Sequence, residues 1–326
     1  MKILIARPRP LLAAIALALA STAILPTSAL AYGKKGHQTV GAIADQLLKG
    51  TNAEKRVKAI LGAETLSHAS TWPDEVKHGP FTAETKAYAK RNPHHGTNHY
   101  SDIPIQKKSY SAGSVGAGPE DVVATINRCI KVLQSGQDDP TITQKEALKV
   151  LVHLVGDIHQ PLHVGSVYLD KQGNAVLPKN EAEAKATGTI GGNDIDFHGN
   201  LHSFWDETTV EHAMSKAGVS PSNKNAVNLF AAKLAAKEPA GWSTGGLLSK
   251  QSARWATEMM PLAAEAHHDL TIGAQQTKIV KNKPVKFWPA TAKDAAAYNT
   301  WSTNVTSQNL QRAGWRLAGL LEKIWP

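Results

Sequence analysis

The stretch that decides the fold is "LVHLVGDIHQPLHVG", residues 151–165. Leu151, Val152, Leu154 and Val155 read as the middle of a buried helix. Pro161 ends it, because proline lacks the backbone donor and its ring clashes with the preceding turn. Yet His153, Asp157, His159 and His163 stand inside this apolar run. A buried carboxylate is costly unless it is paired or bound to a metal. His153 and Asp157 are four residues apart, one turn along the same helical face. His163 follows the proline break, where the chain can turn it back toward the same point. Taken alone, the pair supports two equal readings: metal ligands, or an Asp–His pair bonded within the core.

Helical periodicity dominates the rest of the chain, since alanine is abundant and aromatic and β-branched residues are sparse. Helices are expected near 37–48, over "NAEKRVKAILG" closed by Gly62, near 119–135 with Pro119 at the start, and near 143–159. Further helices fall on "NLHSFWDETTVEHAM", "NKNAVNLFAAKLAAK", "SARWATEMMPLAAEAHHDL" and a closing stretch near 294–323. Residues 78–117 and 165–199, rich in Gly, Pro, His, Ser and Asn, are expected as two long loops, and loops of that length are usually functional. With no repeat and no dividing linker, one all-α domain is the simplest architecture.

Residues 1–31 stand apart. Lys2, Arg7 and Arg9 precede the apolar "LLAAIALALASTAIL", and "ALA" at 29–31 supplies small residues for cleavage. This is a secretory signal, so residues 32–326 are expected as the mature domain, exported to the periplasm or beyond. No later segment is apolar for long enough to span a bilayer. Removing the three basic residues of the signal leaves a net charge of +6, which suits a polyanionic substrate without requiring one. The single cysteine, Cys129, excludes an internal disulfide and a thiolate metal site, so any metal is held by nitrogen and oxygen.

Other segments repeat the signal of the opening stretch. "NLHSFWD" again places His202 and Asp206 four apart. Asp74 follows Trp72-Pro73 in "STWPDEVK", a context too apolar for an ordinary acidic surface. "TNHYSDIP" offers His99 with Tyr100 and Asp102, and "YGKKGH" puts His37 five residues after the expected new amino end. Five histidines and three aspartates in separate segments suit several zinc ions better than one. A free amine at Tyr32, with its own carbonyl oxygen, would close a further chelate. His94, His95, His198, His267 and His268 lie in polar settings and are expected in solvent or in supporting roles, as is His159.

The ordered set W/Y-G-x-x-G-H, W-x-D, N-H-Y/F, H-x-x-x-D-x-x-Q-P-x-H, G-G-N-D and N-L-H-x-x-W-D resembles the zinc-dependent single-strand-specific nucleases of fungi, plants and bacteria. These also act as 3′-nucleotidases and share their fold with bacterial zinc phospholipase C. The resemblance covers residues 32–326. It implies an all-α fold around three Zn2+ ions. One ion would lie on Asp74, His99, His153 and Asp157. A close second would lie on the Tyr32 amine and carbonyl, His37 and the shared Asp157, and a third on His163, His202 and Asp206. Family members usually begin the mature chain with Trp, where this chain has Tyr32.

The resemblance further implies cleavage of single-stranded DNA and RNA to 5′-phosphate products and hydrolysis of 3′-mononucleotides. Asp74 would orient the nucleophile, Lys77 would offset transition-state charge, and Asn193 would donate to the phosphate. Tyr100 would stack the base and Asp102 would accept its hydrogen bonds. Stacking tolerates any base and favours single strands. No stable protein partner is implied, and a monomer is expected. The alternatives are a phospholipase C-like phosphodiesterase, or a periplasmic zinc-binding protein. Ligands scattered through a core argue against the second.

Overall fold

The structure is a computed structural model and describes residues 32–243 and 245–326. The expected signal peptide, residues 1–31, lies outside the described residues. Thirteen α-helices in chain order carry most of the described chain. They are α1 (Lys34–Leu47), α2 (Asn52–Leu61), α3 (Leu66–Ala69), α4 (Trp72–His78), α5 (Ala83–Arg91) and α6 (Val122–Ser135). There follow α7 (Gln144–Asp157), α8 (Glu181–Thr187), α9 (Leu201–Ser203), α10 (Thr209–Lys216), α11 (Ala226–Ala235), α12 (Gln251–His268) and α13 (Ala295–Ile324). None is long and apolar enough to cross a membrane.

The helix of the opening stretch, α7, starts where its chemistry says it should. Thr143 Oγ1 accepts from the Glu146 N–H at 3.2 Å while the Glu146 carboxylate accepts from the Thr143 N–H at 2.8 Å, a reciprocal cap. From Glu146 to Asp157 every residue of α7 is buried, so the helix runs through the core and not along its rim. It packs against α6, α1, α13, α4 and α3. The large core around it includes Ile43, Ile126, Leu151, Val155, Leu310 and Leu317. A second apolar cluster holds Leu162, Leu201, Phe204, Trp205, Trp288 and Tyr298. The segments bearing the candidate ligands belong to the seam between these clusters: His153 and Asp157 flank residues of the first, His202 and Asp206 residues of the second.

Strands are short and serve the loops. β1 (Ile103–Pro104) pairs in parallel with β2 (Gly165–Ser166), and β3 (Tyr168–Leu169) pairs antiparallel with β4 (Ala175–Val176). A further sheet joins β5 (Ile195–Asp196), β6 (Leu270–Ile272), β7 (Gln276–Val280) and β8 (Lys283–Ala292), with β8 pairing to each of the other three.

Several expectations are corrected. The 78–117 loop contains α5, held by a reciprocal Thr82–Thr85 cap, and the 165–199 loop contains α8, capped by Asn180. The helix expected from Pro119 starts at Val122, because the Asp121 side chain takes the capping position and accepts from the Ala124 N–H. The β7–β8 hairpin was not expected. Its residues show little alternation, since most of it is exposed on both faces. His267 is buried at 3 % exposure, not solvated, with Nδ1 donating to the Ala263 carbonyl at 2.7 Å.

Candidate metal centre

The candidate ligands come from six places in the chain and meet at one. His37 is on α1, Asp74 on α4, His99 in the loop before β1, His153 and Asp157 on α7, and His163 in the turn after Pro161. His202 is on α9, and Asp206 sits in a π-helical turn, Phe204–Thr208, that continues it. All eight are buried. They form three sets whose ligand atoms lie within 4.8 Å of one another: His37, His153 and Asp157; Asp74, His99 and His153; His163, His202 and Asp206.

Asp157 faces two ways. Its Oδ2 is 3.1 Å from His99 Nδ1 and 3.2 Å from His153 Nε2. Its Oδ1 is 3.3 Å from His37 Nε2 and 3.8 Å from His163 Nδ1. Burial alone would raise this carboxyl, but His153, His163 and His37 outweigh it and hold it well below the usual range. Burial likewise opposes charge on His163, yet Asp157 and Asp206 lift it to about 9. His99 goes the other way, pushed down to about 4 by burial.

Backbone carbonyls set the imidazoles. His153 Nδ1 donates to the Ser70 carbonyl at 2.7 Å, His163 Nδ1 to that of His99 at 2.7 Å, and His202 Nδ1 to that of Gly191 at 2.8 Å. Each bond fixes a tautomer and turns Nε2 inward, the arrangement that ligating histidines use. His163 Nε2 and His202 Nε2 then stand 3.0 Å apart beside Asp206. Gln160, which sequence reasoning gave no role, donates from Nε2 to Asp206 Oδ1 at 2.9 Å and holds that carboxylate. Its fixed place in H-x-x-x-D-x-x-Q-P-x-H was the available signal.

Two glycines make room for the rings. The His37 ring stacks on that of His153 at 3.7 Å between centroids, and a Cβ on Gly156 would meet His37 Nδ1 at 2.8 Å. Gly191 has φ +57°, and a Cβ there would lie 2.7 Å from the Leu162 carbonyl oxygen.

The residues fit divalent metal. Among the described residues, both ring nitrogens of His37, Asp157 Oδ1 and Asp206 Oδ2 are buried with no hydrogen-bond partner. Buried polar atoms seldom stay unpaired, and three of these face fellow ligands: His37 Nε2 and Asp157 Oδ1 are 3.3 Å apart, and Asp206 Oδ2 is 3.3 Å from His202 Nε2. The donor set of imidazole and carboxylate is the zinc type.

Tyr32 is fully buried beside His37, its hydroxyl donating to the His159 carbonyl at 3.0 Å, and its own carbonyl accepts a 3.3 Å bond from the His37 N–H. His159 does not touch the ligand cluster. Its Nδ1 donates to the Val155 carbonyl at 2.7 Å, and its Nε2 accepts from Arg316 on α13 at 2.9 Å. Arg316 also donates to the carbonyls of Trp242 and Gly241 and to Glu258.

A cavity of about 320 Å³ opens over the metal residues, lined by Asp74, Lys77, His99, Asp102, His163 and Asn193, among others. A second of about 840 Å³ adjoins it, sharing Tyr100, Asp102 and Ile190. Lys77 is exposed on α4, and Tyr100 is half-buried. Asp102 is raised to about 6 by burial, and its Oδ1 has no hydrogen-bond partner among the described residues. Asn193 donates from Nδ2 to the Ile190 carbonyl at 2.8 Å, so part of its amide serves the loop.

A mostly helical chain with three adjoining His/Asp sets under an open cavity defines a candidate multinuclear metal protein. The sequence profile of the S1/P1 nuclease family matches residues 32–326, and the chain belongs to that family. It is 28% identical over 201 residues to Endonuclease 4 of Arabidopsis thaliana, covering 58% of this chain and 59% of that protein. It is 28% identical over 204 residues to Nuclease S1 of Aspergillus oryzae, covering 60% of each. With Nuclease P1 of Penicillium citrinum it shares 27% identity over 247 residues, 70% of this chain and 78% of that one. The matches thus span about three fifths of the length of the first two relatives.

Proposed function

We propose that this chain is a zinc-dependent endonuclease that cleaves phosphodiester bonds of single-stranded DNA and RNA, leaves 5′-phosphate ends and also hydrolyses 3′-mononucleotides. The observation that carries the reading is three adjoining buried His/Asp sets, of which Asp74, His99, His163 and His202 line one cavity together with Lys77, Tyr100, Asp102 and Asn193. Residues 1–31 would be removed on export to the periplasm or beyond, giving Tyr32 a free amine, and the active form would be a monomer.

Three Zn2+ ions would be held by Asp74, His99, His153 and Asp157; by Tyr32, His37 and Asp157; and by His163, His202 and Asp206. When bound, they supply Lewis acidity that brings a water toward hydroxide near neutral pH and neutralises phosphate charge. The chain's own residues do the rest. Asp74 orients the attacking water. The Lys77 ammonium meets charge that develops on the phosphate. The Asn193 amide has a second N–H to offer a phosphate oxygen. Tyr100 gives a face for a base, and Asp102 accepts from its edge. A paired base is already stacked in its duplex and enters only at a cost, which favours single strands.

The test compares protein beginning at Tyr32, loaded with zinc, on single-stranded DNA, RNA, duplex DNA, a 3′-mononucleotide and phosphatidylcholine. Cleavage of both single strands with 5′-phosphate ends, and about three zinc ions per chain, is expected. Lipid cleavage without nucleic-acid cleavage overturns the reading in favour of a phospholipase. Zinc bound with no hydrolysis at all favours a binding protein.

A further inference from the structure

The β7–β8 hairpin takes no part in the metal centre, yet its exposed charge is all of one sign. From Gln276 to Lys286 it carries Lys278, Lys281, Lys283 and Lys286 and no acidic residue. All four lysines are exposed. Lys278 is 3.4 Å from Asp196 and lies over the Phe287 ring at 4.6 Å. Among the described residues, no ion pair involves Lys281, Lys283 or Lys286. The turn adds to the pattern. Lys281 has φ 49° and Asn282 φ 61°, left-handed positions at a hairpin tip that ordinarily take Asn or Gly. Here a lysine occupies the first of them. Ile279 beside it is 70 % exposed.

The hairpin is also built onto the rim of the cavity. β8 pairs in parallel with β5, Ile195 against Trp288, and the Trp288 N–H donates to the Asp194 carbonyl at 2.9 Å. Asp194 follows Asn193 in the loop that lines both cavities. Because the two strands are parallel, stepping back from Trp288 toward the tip runs the same way as stepping back from Ile195 to Asn193. The hairpin therefore leaves the sheet on the Asn193 side. At about 3.3 Å per residue, its tip extends roughly 20 Å beyond Trp288.

We infer that this hairpin is an electrostatic arm that binds the phosphate backbone of a nucleic-acid strand lying beyond the cavity. Binding of this kind is independent of sequence, and each lysine that neutralises a phosphate adds to the salt dependence. It separates long substrates from short ones: a strand reaches both cavity and arm, a mononucleotide only the cavity. The inference rests on the nuclease reading for its choice of ligand. Lysines also guard exposed strand edges against aggregation, and that role alone predicts no effect on nucleic acid.

The experiment replaces Lys278, Lys281, Lys283 and Lys286 with Gln together, and separately makes Lys281→Gln alone, which leaves the strands untouched should the fourfold variant fail to fold. Binding of a non-cleavable 20-nucleotide single strand is followed by fluorescence anisotropy from low to moderate salt. Hydrolysis of a 3′-mononucleotide is measured in parallel. The expected result is a 10- to 100-fold weaker strand affinity for the fourfold variant at low salt. The slope of log K against log salt should fall by up to about 0.7 per lysine. The single variant should show a smaller change of the same sign, and turnover of any mononucleotide should be unchanged in both. An unchanged slope in either folded variant overturns the inference. So does hairpin-dependent binding to anionic lipid vesicles without strand binding. Absent hydrolysis with intact, hairpin-dependent strand binding overturns the nuclease reading and leaves the arm standing.

Discussion

Arg316 Nη1 lies 2.9 Å from His159 Nε2, and this contact ties the last helix to the turn directly after Asp157. The His159 ring is kept neutral, well below its ordinary pKa, first by burial and then by the Arg316 charge. It therefore has a lone pair to offer the guanidinium. The same turn receives the Tyr32 hydroxyl. One buried arginine thus braces both α7 and the segment preceding α1.

Replacing Arg316 with Met should show that brace. The variant leaves His159 Nε2 and the carbonyls of Trp242 and Gly241 without their donor, and Glu258 without its partner. Breaking a buried charged network of this sort costs about 3 kcal/mol or more. Chemical denaturation at pH 7 measures it, and a loss under about 1 kcal/mol would show that the contacts contribute little.

Tyr32→Phe removes one hydrogen bond and no metal-ligating atom. Stability should drop by about 1 kcal/mol while zinc content stays at the wild-type value. Zinc content and denaturation midpoint, read on the same preparation, check both halves. A fall in zinc would mean that the hydroxyl, and not the backbone, governs the amino-terminal site.

Gly156→Ala should act against propensity. In a helix interior, Ala is favoured over Gly by about 1 kcal/mol. At this position a Cβ would stand 2.8 Å from His37 Nδ1, so the ring must leave its stack on His153. Lower zinc content together with a lower thermal midpoint is the expected pair of results. A stabilised variant with full zinc would refute the packing argument.

His267, which is not among the ligands, supplies a pH dependence of its own. Burial depresses it to about 4 from an ordinary 6.5, so the unfolded chain takes up its proton first. The contribution is complete above pH 6.5 and is lost as pH falls toward 4, roughly 3 kcal/mol in all. Urea unfolding of metal-free protein between pH 7 and 4.5 should therefore slope more steeply for wild type than for His267→Phe. Parallel slopes would exclude it.

Much of this architecture was legible from residue order. The periodic helices and the His–Asp pairs at a spacing of four are local signals, and α7 announced itself by an apolar run stopped by Pro161. What escaped has physical reasons. Helix α5 is short and mostly exposed, so its pattern is dominated by polar residues and by a Thr82 cap that looks like loop sequence. The hairpin is exposed on both faces and so lacks the alternation that marks a half-buried strand. His267 stands in the polar-looking sequence Glu265–Asp269 yet is buried on α12, a fact only the packing reveals. The Arg316–His159 contact spans 157 residues and leaves no local trace.

The ligands come from segments that are far apart in the chain, and Cys129 is its single cysteine. No covalent cross-link is available within it. An ion joining His37 to Asp157 closes a loop of roughly 120 residues, which in the chain-entropy estimate for disulfides is worth about 5 kcal/mol. Metal at this centre would do for the fold what disulfides do in other chains, as a staple that chelation can undo and rebinding can restore.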